Sequence, residues 1–349
     1  MSVQKSSSSV IAVVGPTATG KTALAVLLAE AALDSGKWHG VSLLSVDSRQ
    51  VYKGLEICTG VDIPPEWKAI THQNIAAHQH PTLPIFLFGT SVIAPEQEWS
   101  VAHFRALAWR VMTQAFAQNE LVICVGGTGL YYEHLFSTQP EIGVGPNQDL
   151  REHVAQLDLE ALQNRVQRDA GQIWEQMNHS DRHNPRRLVR ALEKKAALES
   201  SESAHTALLP LPFTVETHYT LGITDEIAQI EKRIHARVND RIKQGAITEV
   251  QKLMGQYDDK AWKLSAFSST GCKEVRAYIE NVVEYEEMIA LWVRREVQYA
   301  KRQLTWWRKH LYATKVSTFE QKMSSWYDLA EQKDDDWQTA AVESCILSL

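Results

Sequence analysis

With 349 residues, 44% hydrophobic and 22% charged, the chain has an ordinary globular make-up and room for one large domain plus a smaller one. No apolar run approaches the ~20 residues a bilayer demands, which excludes a membrane-spanning helix. The net charge of −6 excludes a uniformly basic nucleic-acid binder, but it hides two local basic blocks.

Residues 1–9 are polar, with a serine run, and lack the charged-then-apolar pattern of an export signal. They are expected to form a short disordered leader. Residues 10–14 (VIAVV) predict a buried parallel strand that ends at Gly15-Pro16, and 22–33 predict a helix stopped by Gly36. Residues 41–46 and 121–125 predict two more strands, the second running into Gly126-Gly127. His72, His78 and His80 fall between them and read as a polar loop insertion, since no carboxylate or cysteine completes a metal set.

After Phe136 the composition changes. Residues 137–147 are rich in Pro, Gly and polar side chains, and 149–200 are polar with a helical pattern. A helical insertion over 138–207 is expected, after which the chain returns to the core until 318. Residues 226–254 place Ile227, Ile230, Ile234, Val238 and Ile242 at helical spacing, with an interruption near Gly245. From Leu311 onward seven Asp or Glu stand against three Lys, so 319–349, including Asp334 to Asp336, are expected to be a solvated acidic tail. The four cysteines are too scattered for a disulfide framework or a metal site, which fits a reducing cytoplasm. The fold expected is α/β with a mostly parallel sheet, plus an all-helical insertion.

Gly15-Pro16-Thr17-Ala18-Thr19-Gly20-Lys21-Thr22 is a complete G-x-x-x-x-G-K-T between a predicted strand and a predicted helix. Backbone N–H groups of such a loop close around phosphate oxygens, Lys21 adds a charge and Thr22 offers its hydroxyl to Mg²⁺. The pattern specifies a di- or polyphosphate without saying which compound. Asp47 ends the second predicted strand, where it suits a general base, a metal ligand or a plain helix cap. The third strand ends in a hydroxyl, Thr128, where an ordinary P-loop NTPase would put an acid. Two blocks carry six Lys or Arg each: 181–195, with Arg186, Arg187 and Arg190, and 294–309. Such patches permit an RNA backbone without demanding one.

Taken together and in order, these segments resemble the tRNA dimethylallyltransferases. The resemblance rests on GPTATGKT at 15–22, DSRQVYKGLEICTG at 47–60, PEQEW at 95–99, VGGTGLYYEHL at 125–135, NPRRLVRALE at 184–193, the helix with Arg233 and Arg237, and AKRQLTWWR at 300–308. It covers about residues 10–309. It implies a P-loop core gripping dimethylallyl diphosphate, with Mg²⁺, in place of ATP. It implies transfer of the dimethylallyl group to the exocyclic N6 of an adenine beside the anticodon, at position 37. Asp47 would act as base, Thr128 would lie near Asp47 and the reacting centre, and Arg237 would reach the diphosphate. Ser48, Arg49, Gln50, Arg186, Arg187, Arg190 and Lys273 would meet the tRNA anticodon stem-loop, around a base turned out of its stack. A cytoplasmic monomer is expected.

Two positions depart from the family pattern: Cys272, where a Tyr is usual, and Glu296-Val297, where Thr-Arg is usual. Three other readings stay open at this point: a small-molecule kinase using ATP at the same loop, an adenine-nucleotide prenyltransferase, and an RNA-binding protein that has lost catalysis.

Overall fold

The structure, a computed structural model, describes residues 8–61, 63–137, 144–199, 211–311, 321–332 and 336–349. The chain divides into two units, Met1–Phe136 with Pro212–Leu349, and Ser137–Leu211. Among the described residues the larger unit has the strands β1 (Ser9–Val14), β2 (Gly40–Ser45), β3 (Lys68–His72), β4 (Ile75–Gln79), β5 (Ile85–Phe88), β6 (Glu120–Gly126), β7 (Thr217–Thr224) and β8 (Gln321–Asp328). They form one sheet in the order β3-β4-β5-β2-β6-β1-β7-β8. Pairing is parallel from β5 through β8 and antiparallel along β3-β4-β5.

The helices of this unit are α1 (Lys21–Asp34), α2 (Glu56–Thr59), α3 (Val101–Ala117) and α4 (Gly129–Leu135). The smaller unit holds α5 (Gln148–Val154), α6 (Leu159–Asp169), α7 (Gly171–Gln176), α8 (His179–Arg182) and α9 (Pro185–Glu199). The larger unit resumes with α10 (Ile227–Gln244), α11 (Ala246–Gln256), α12 (Cys272–Ile279), α13 (Tyr285–Leu311) and α14 (Trp337–Ser348).

The alternation of a strand puts successive side chains on opposite faces. Ile11 and Val13 of β1 join the core beneath α1 and α14, and Val10 joins the core beneath α3 and α4. All three are completely buried, which is why the predicted strands read as unbroken apolar runs. The interruption expected near Gly245 is real: Gly245 takes a left-handed φ of 108° and separates α10 from α11.

Three expectations need correction. Residues 321–349 are not a solvated tail: β8 extends the sheet beside β7, and α14 packs Ala341, Val342 and Cys345 into the core with Leu24 and Leu28. Of the segment's acidic residues, Asp328 closes β8 and Glu343 is exposed on the outer side of α14, and of Asp334 to Asp336 only Asp336 is among the described residues. The histidine segment is not a loop but the β3-β4 hairpin. His72 stacks on Phe86 with centroids 3.7 Å apart and bonds Glu120 at 3.3 Å, so apolar cover and a carboxylate account for it. The first strand also begins one residue earlier than expected, at Ser9, while residues 1–7 lie outside the described set.

The smaller unit is helical throughout its described part, as its polar, helix-patterned sequence leads one to expect. Three of its short helices, α5, α6 and α8, are started by a side-chain acceptor. Asn147 takes Leu150 N at 2.9 Å, Asp158 takes Ala161 N at 2.8 Å, and Asn178 forms a reciprocal box with Asp181. Val166 and Leu188 anchor its own apolar core.

Candidate active site

β2, β6 and β1 are neighbours, and their registers bring Ser45 level with Val125 and Val14 level with Gly126. Their carboxyl ends therefore deliver Asp47, the Gly127-Thr128 turn and the P-loop to one place, as parallel sheets do. The P-loop turns sharply because Gly15 adopts φ 147°, where a Cβ would collide with the Ile223 carbonyl oxygen. Gly20, left-handed at φ 79°, starts α1. Within the loop Lys21 Nζ donates to Pro16 O at 2.5 Å and Thr19 Oγ1 to the same oxygen at 2.9 Å. Contacts from later in the chain hold it from outside: Gln303 Oε1 accepts Thr17 N at 2.8 Å, Arg233 Nε donates to Ala18 O at 2.7 Å, and Arg237 Nη1 donates to Thr17 Oγ1 at 3.0 Å.

The loop opens on a cavity of about 520 Å³, in the ordinary range for small-molecule sites. Lys21, Thr22, Asp47, Arg233, Arg237 and Arg241 are among its charged and metal-competent groups. Thr22 and Asp47 are hard oxygen donors of the kind Mg²⁺ takes, so the residues present fit that ion once phosphate oxygens complete the set.

Asp47 Oδ1 accepts Arg49 N at 2.7 Å and Gln50 N at 3.3 Å. Burial pushes its pKa above the usual carboxylate value, against the pull of those two N–H groups and of the Arg49 and Lys21 charges. Thr128 caps α4 and does not itself line the cavity. Its Oγ1 meets the Tyr299 hydroxyl at 3.3 Å, and Tyr299 does line it. Burial, then the Asp47 charge, raises the Tyr299 phenol well above its ordinary value, so it stays protonated.

The residues expected to meet RNA separate into groups. Arg49 and Gln50 line the cavity, but both are engaged. Arg49 Nη1 donates to Ser265 O at 2.5 Å, while Gln50 accepts Ser45 Oγ at 2.8 Å and donates to Gly60 O at 2.9 Å. Ser48 is on the same turn outside the lining, and Lys273 is exposed in the first turn of α12. On α9, Arg186 is exposed, whereas Arg187 pairs with Asp181. Arg190 is an internal strut: it holds Glu193, itself 1% exposed, and the Val144 and Gly145 carbonyls.

The departures also find their places. Cys272 is a core residue, completely buried against Cys58, whose thiol is pushed well up first by that contact and then by burial. Val297 packs in the same core. Glu296 instead enters the cavity wall, paired with Arg241. Sequence reasoning assigned no role to Arg241, Tyr299 or Gln303. One signal was available: Arg233, Arg237 and Arg241 recur every four residues, so they share a helix face.

Residues 50–310 match the family model described as IPP transferase. Among curated relatives, the tRNA dimethylallyltransferase of Moorella thermoacetica is 32% identical over 322 residues, covering 88% of this chain and 90% of that one. That of Geobacillus kaustophilus is 32% identical over 312 residues, covering 86% and 88%. Among solved structures, the full-length tRNA isopentenylpyrophosphate transferase from Bacillus halodurans aligns with TM-score 0.60 at 25% identity, over 98% of this chain and 97% of that one. A eukaryotic dimethylallyltransferase crystallised acting on tRNA aligns with TM-score 0.70 at 19% identity, over 97% and 79%, a likeness of fold.

Proposed function

The chain belongs to the IPP transferase family, and we propose on that footing that it moves a dimethylallyl group from dimethylallyl diphosphate to N6 of an adenine beside the anticodon of tRNA, at position 37, releasing diphosphate. The observation that carries this reading is the convergence of a P-loop, a carboxylate and a row of arginines on one cavity. A kinase arrangement would want an acid at the end of β6, where this chain has Thr128.

In the reaction the C–O bond to the diphosphate breaks as the C–N bond forms. Charge grows on the leaving diphosphate, and Lys21, Arg237 and the loop N–H groups are placed to stabilise it. Mg²⁺, held by Thr22 and the diphosphate oxygens, would neutralise part of the same charge. The adenine amine is a weak nucleophile because its lone pair is delocalised into the ring. Asp47 accepts a hydrogen bond from it and takes its proton, and its raised pKa makes it a stronger base than an exposed carboxylate. Tyr299 and Thr128 form a hydroxyl pair beside Asp47 that helps orient the acceptor. Exposed Arg186 on α9 and the relatives' names favour tRNA over a free nucleotide as acceptor. With tRNA as substrate, the protein is read as cytoplasmic.

A single-turnover assay with labelled donor and an anticodon stem-loop tests the assignment of roles. Lys21→Met is expected to lower the rate roughly 10²- to 10³-fold, as loss of one preorganised charge does. Asp47→Asn is expected to lower it roughly 10²- to 10⁴-fold. Variants that transfer at the wild-type rate would remove these residues from the mechanism.

A further inference from the structure

One cation in the cavity wall has a neighbourhood unlike the others. Arg241 lies one turn beyond Arg237 on α10, and the two guanidinium groups crowd the same spot: a Cβ on Gly60 would overlap the Nη2 atoms of both. Two like charges side by side in a buried place repel strongly. Glu296 relieves this. Its Oε1 accepts from Arg241, from Trp292 Nε1 at 3.0 Å and from Thr270 Oγ1 at 3.4 Å, and the side chains of Arg241 and Glu296 are only 5% and 4% exposed.

The pairing leaves Arg241 incompletely satisfied. Its Nε–H is sealed from solvent and meets no partner among the described residues. A buried guanidinium donor without an acceptor is costly unless a ligand supplies one. Arg241 and Glu296 both line the cavity onto which the P-loop opens. A buried ion pair alone is poor evidence of a stabilising role, since apolar side chains fill such space as well.

Building on the diphosphate reading of this cavity, we propose that Arg241 is a second guanidinium for the donor's diphosphate, adjacent to Arg237, and that Glu296 is a positioning residue that holds Arg241 and masks its charge until the anion arrives. The masking has a functional side. An uncompensated pair of arginines would bind the diphosphate product tightly and slow its release. Glu296 lowers that grip while keeping the guanidinium in place. It stands where the family pattern has Thr, and Val297 beside it, where the pattern has Arg, packs in the apolar core, so the additional cavity guanidinium of this chain comes from α10.

The test titrates inorganic diphosphate with Mg²⁺ into the wild type and two variants by calorimetry, and measures KM for donor and for the RNA stem-loop separately. Arg241→Met with Glu296→Gln removes both charges, so the net charge of the wall and the packing are kept and the fold is preserved. This double variant is expected to bind diphosphate roughly ten- to hundredfold more weakly, with a matching rise in donor KM and an unchanged RNA KM. Glu296→Gln alone keeps the accepting oxygen and loses the charge. It is expected to bind diphosphate severalfold more tightly, to lower kcat through slow product release, and to show a larger thermal upshift with diphosphate than the wild type. A double variant that binds diphosphate like the wild type overturns the role of Arg241, and unchanged affinity in Glu296→Gln overturns the masking. If the wild type itself ignores inorganic diphosphate, the reading of the cavity fails, and this inference with it.

Discussion

The backbone N–H of Thr17 donates to Gln303 Oε1 at 2.8 Å, so the P-loop is held by a helix 286 residues further on. Gln303 is 5% exposed, and its amide also fills the space against Gly127. Gln303→Leu keeps the bulk but leaves the Thr17 N–H without its acceptor. We expect a loss of about 1–3 kcal/mol in stability, the usual cost of an unsatisfied buried donor, together with a severalfold rise in donor KM. Urea denaturation and steady-state kinetics measure the two effects.

Asp47 predicts a pH dependence. A base must be deprotonated, so kcat/KM falls as pH drops through its folded pKa, and burial sets that break above the ordinary carboxylate value of 3.8. The sign for stability is opposite. Because the folded pKa is raised, the folded state holds the proton that the unfolded state has released, and stability falls as pH rises through that window. Asp47→Asn, which keeps an oxygen for Arg49 N and Gln50 N, should therefore lose roughly 10²- to 10⁴-fold in rate yet be no less stable at neutral pH. A pH–rate profile and paired thermal melts at neutral and acid pH check both halves.

The parts legible in the sequence were those whose information is contiguous. The P-loop, β1, β2 and β6 each announce themselves within ten residues through β-branched runs and glycine turns, and the break between α10 and α11 is written in Gly245. The C-terminal segment misled because charge counting averages over it, whereas α14 buries only Ala341, Val342 and Cys345 along its inner side. The hairpin was hidden for a related reason: β3 is mostly exposed, so apolar alternation is faint there. Tyr299, Gln303 and the Arg241–Glu296 pair depend on where α10 and α13 pass the strand ends. That is a tertiary fact, and the only local trace of it is the four-residue spacing of Arg241 from Arg233 and Arg237.

The folded C-terminal segment gives its own prediction. Ala341 is completely buried in the core beneath α1. Ala341→Asp places an unpaired carboxylate there and should lower stability by several kcal/mol, whereas the exposed Leu347 tolerates the same change. Thermal melts of the two variants compare core with surface directly, and equal melting points would return this segment to the status of a tail.

The smaller unit predicts how RNA affinity responds to salt. Arg186 is exposed on α9, while Arg190 is committed to Glu193. Arg186→Glu should weaken stem-loop binding and reduce the slope of log K against log salt by about one if it contacts a phosphate, with diphosphate binding unchanged. Arg190→Ala should instead lower the melting temperature. Fluorescence titration of a labelled stem-loop at several salt concentrations separates the two.

The most direct test of the central claim supplies the protein with Mg²⁺, labelled dimethylallyl diphosphate and an unmodified anticodon stem-loop bearing adjacent adenines, with AMP as competing acceptor and ATP as alternative donor in parallel. Label is expected on N6 of one adenine of the stem-loop, dependent on Asp47. Label in AMP alone, phosphate transfer from ATP, or bound RNA with no transfer from either donor would contradict the claim.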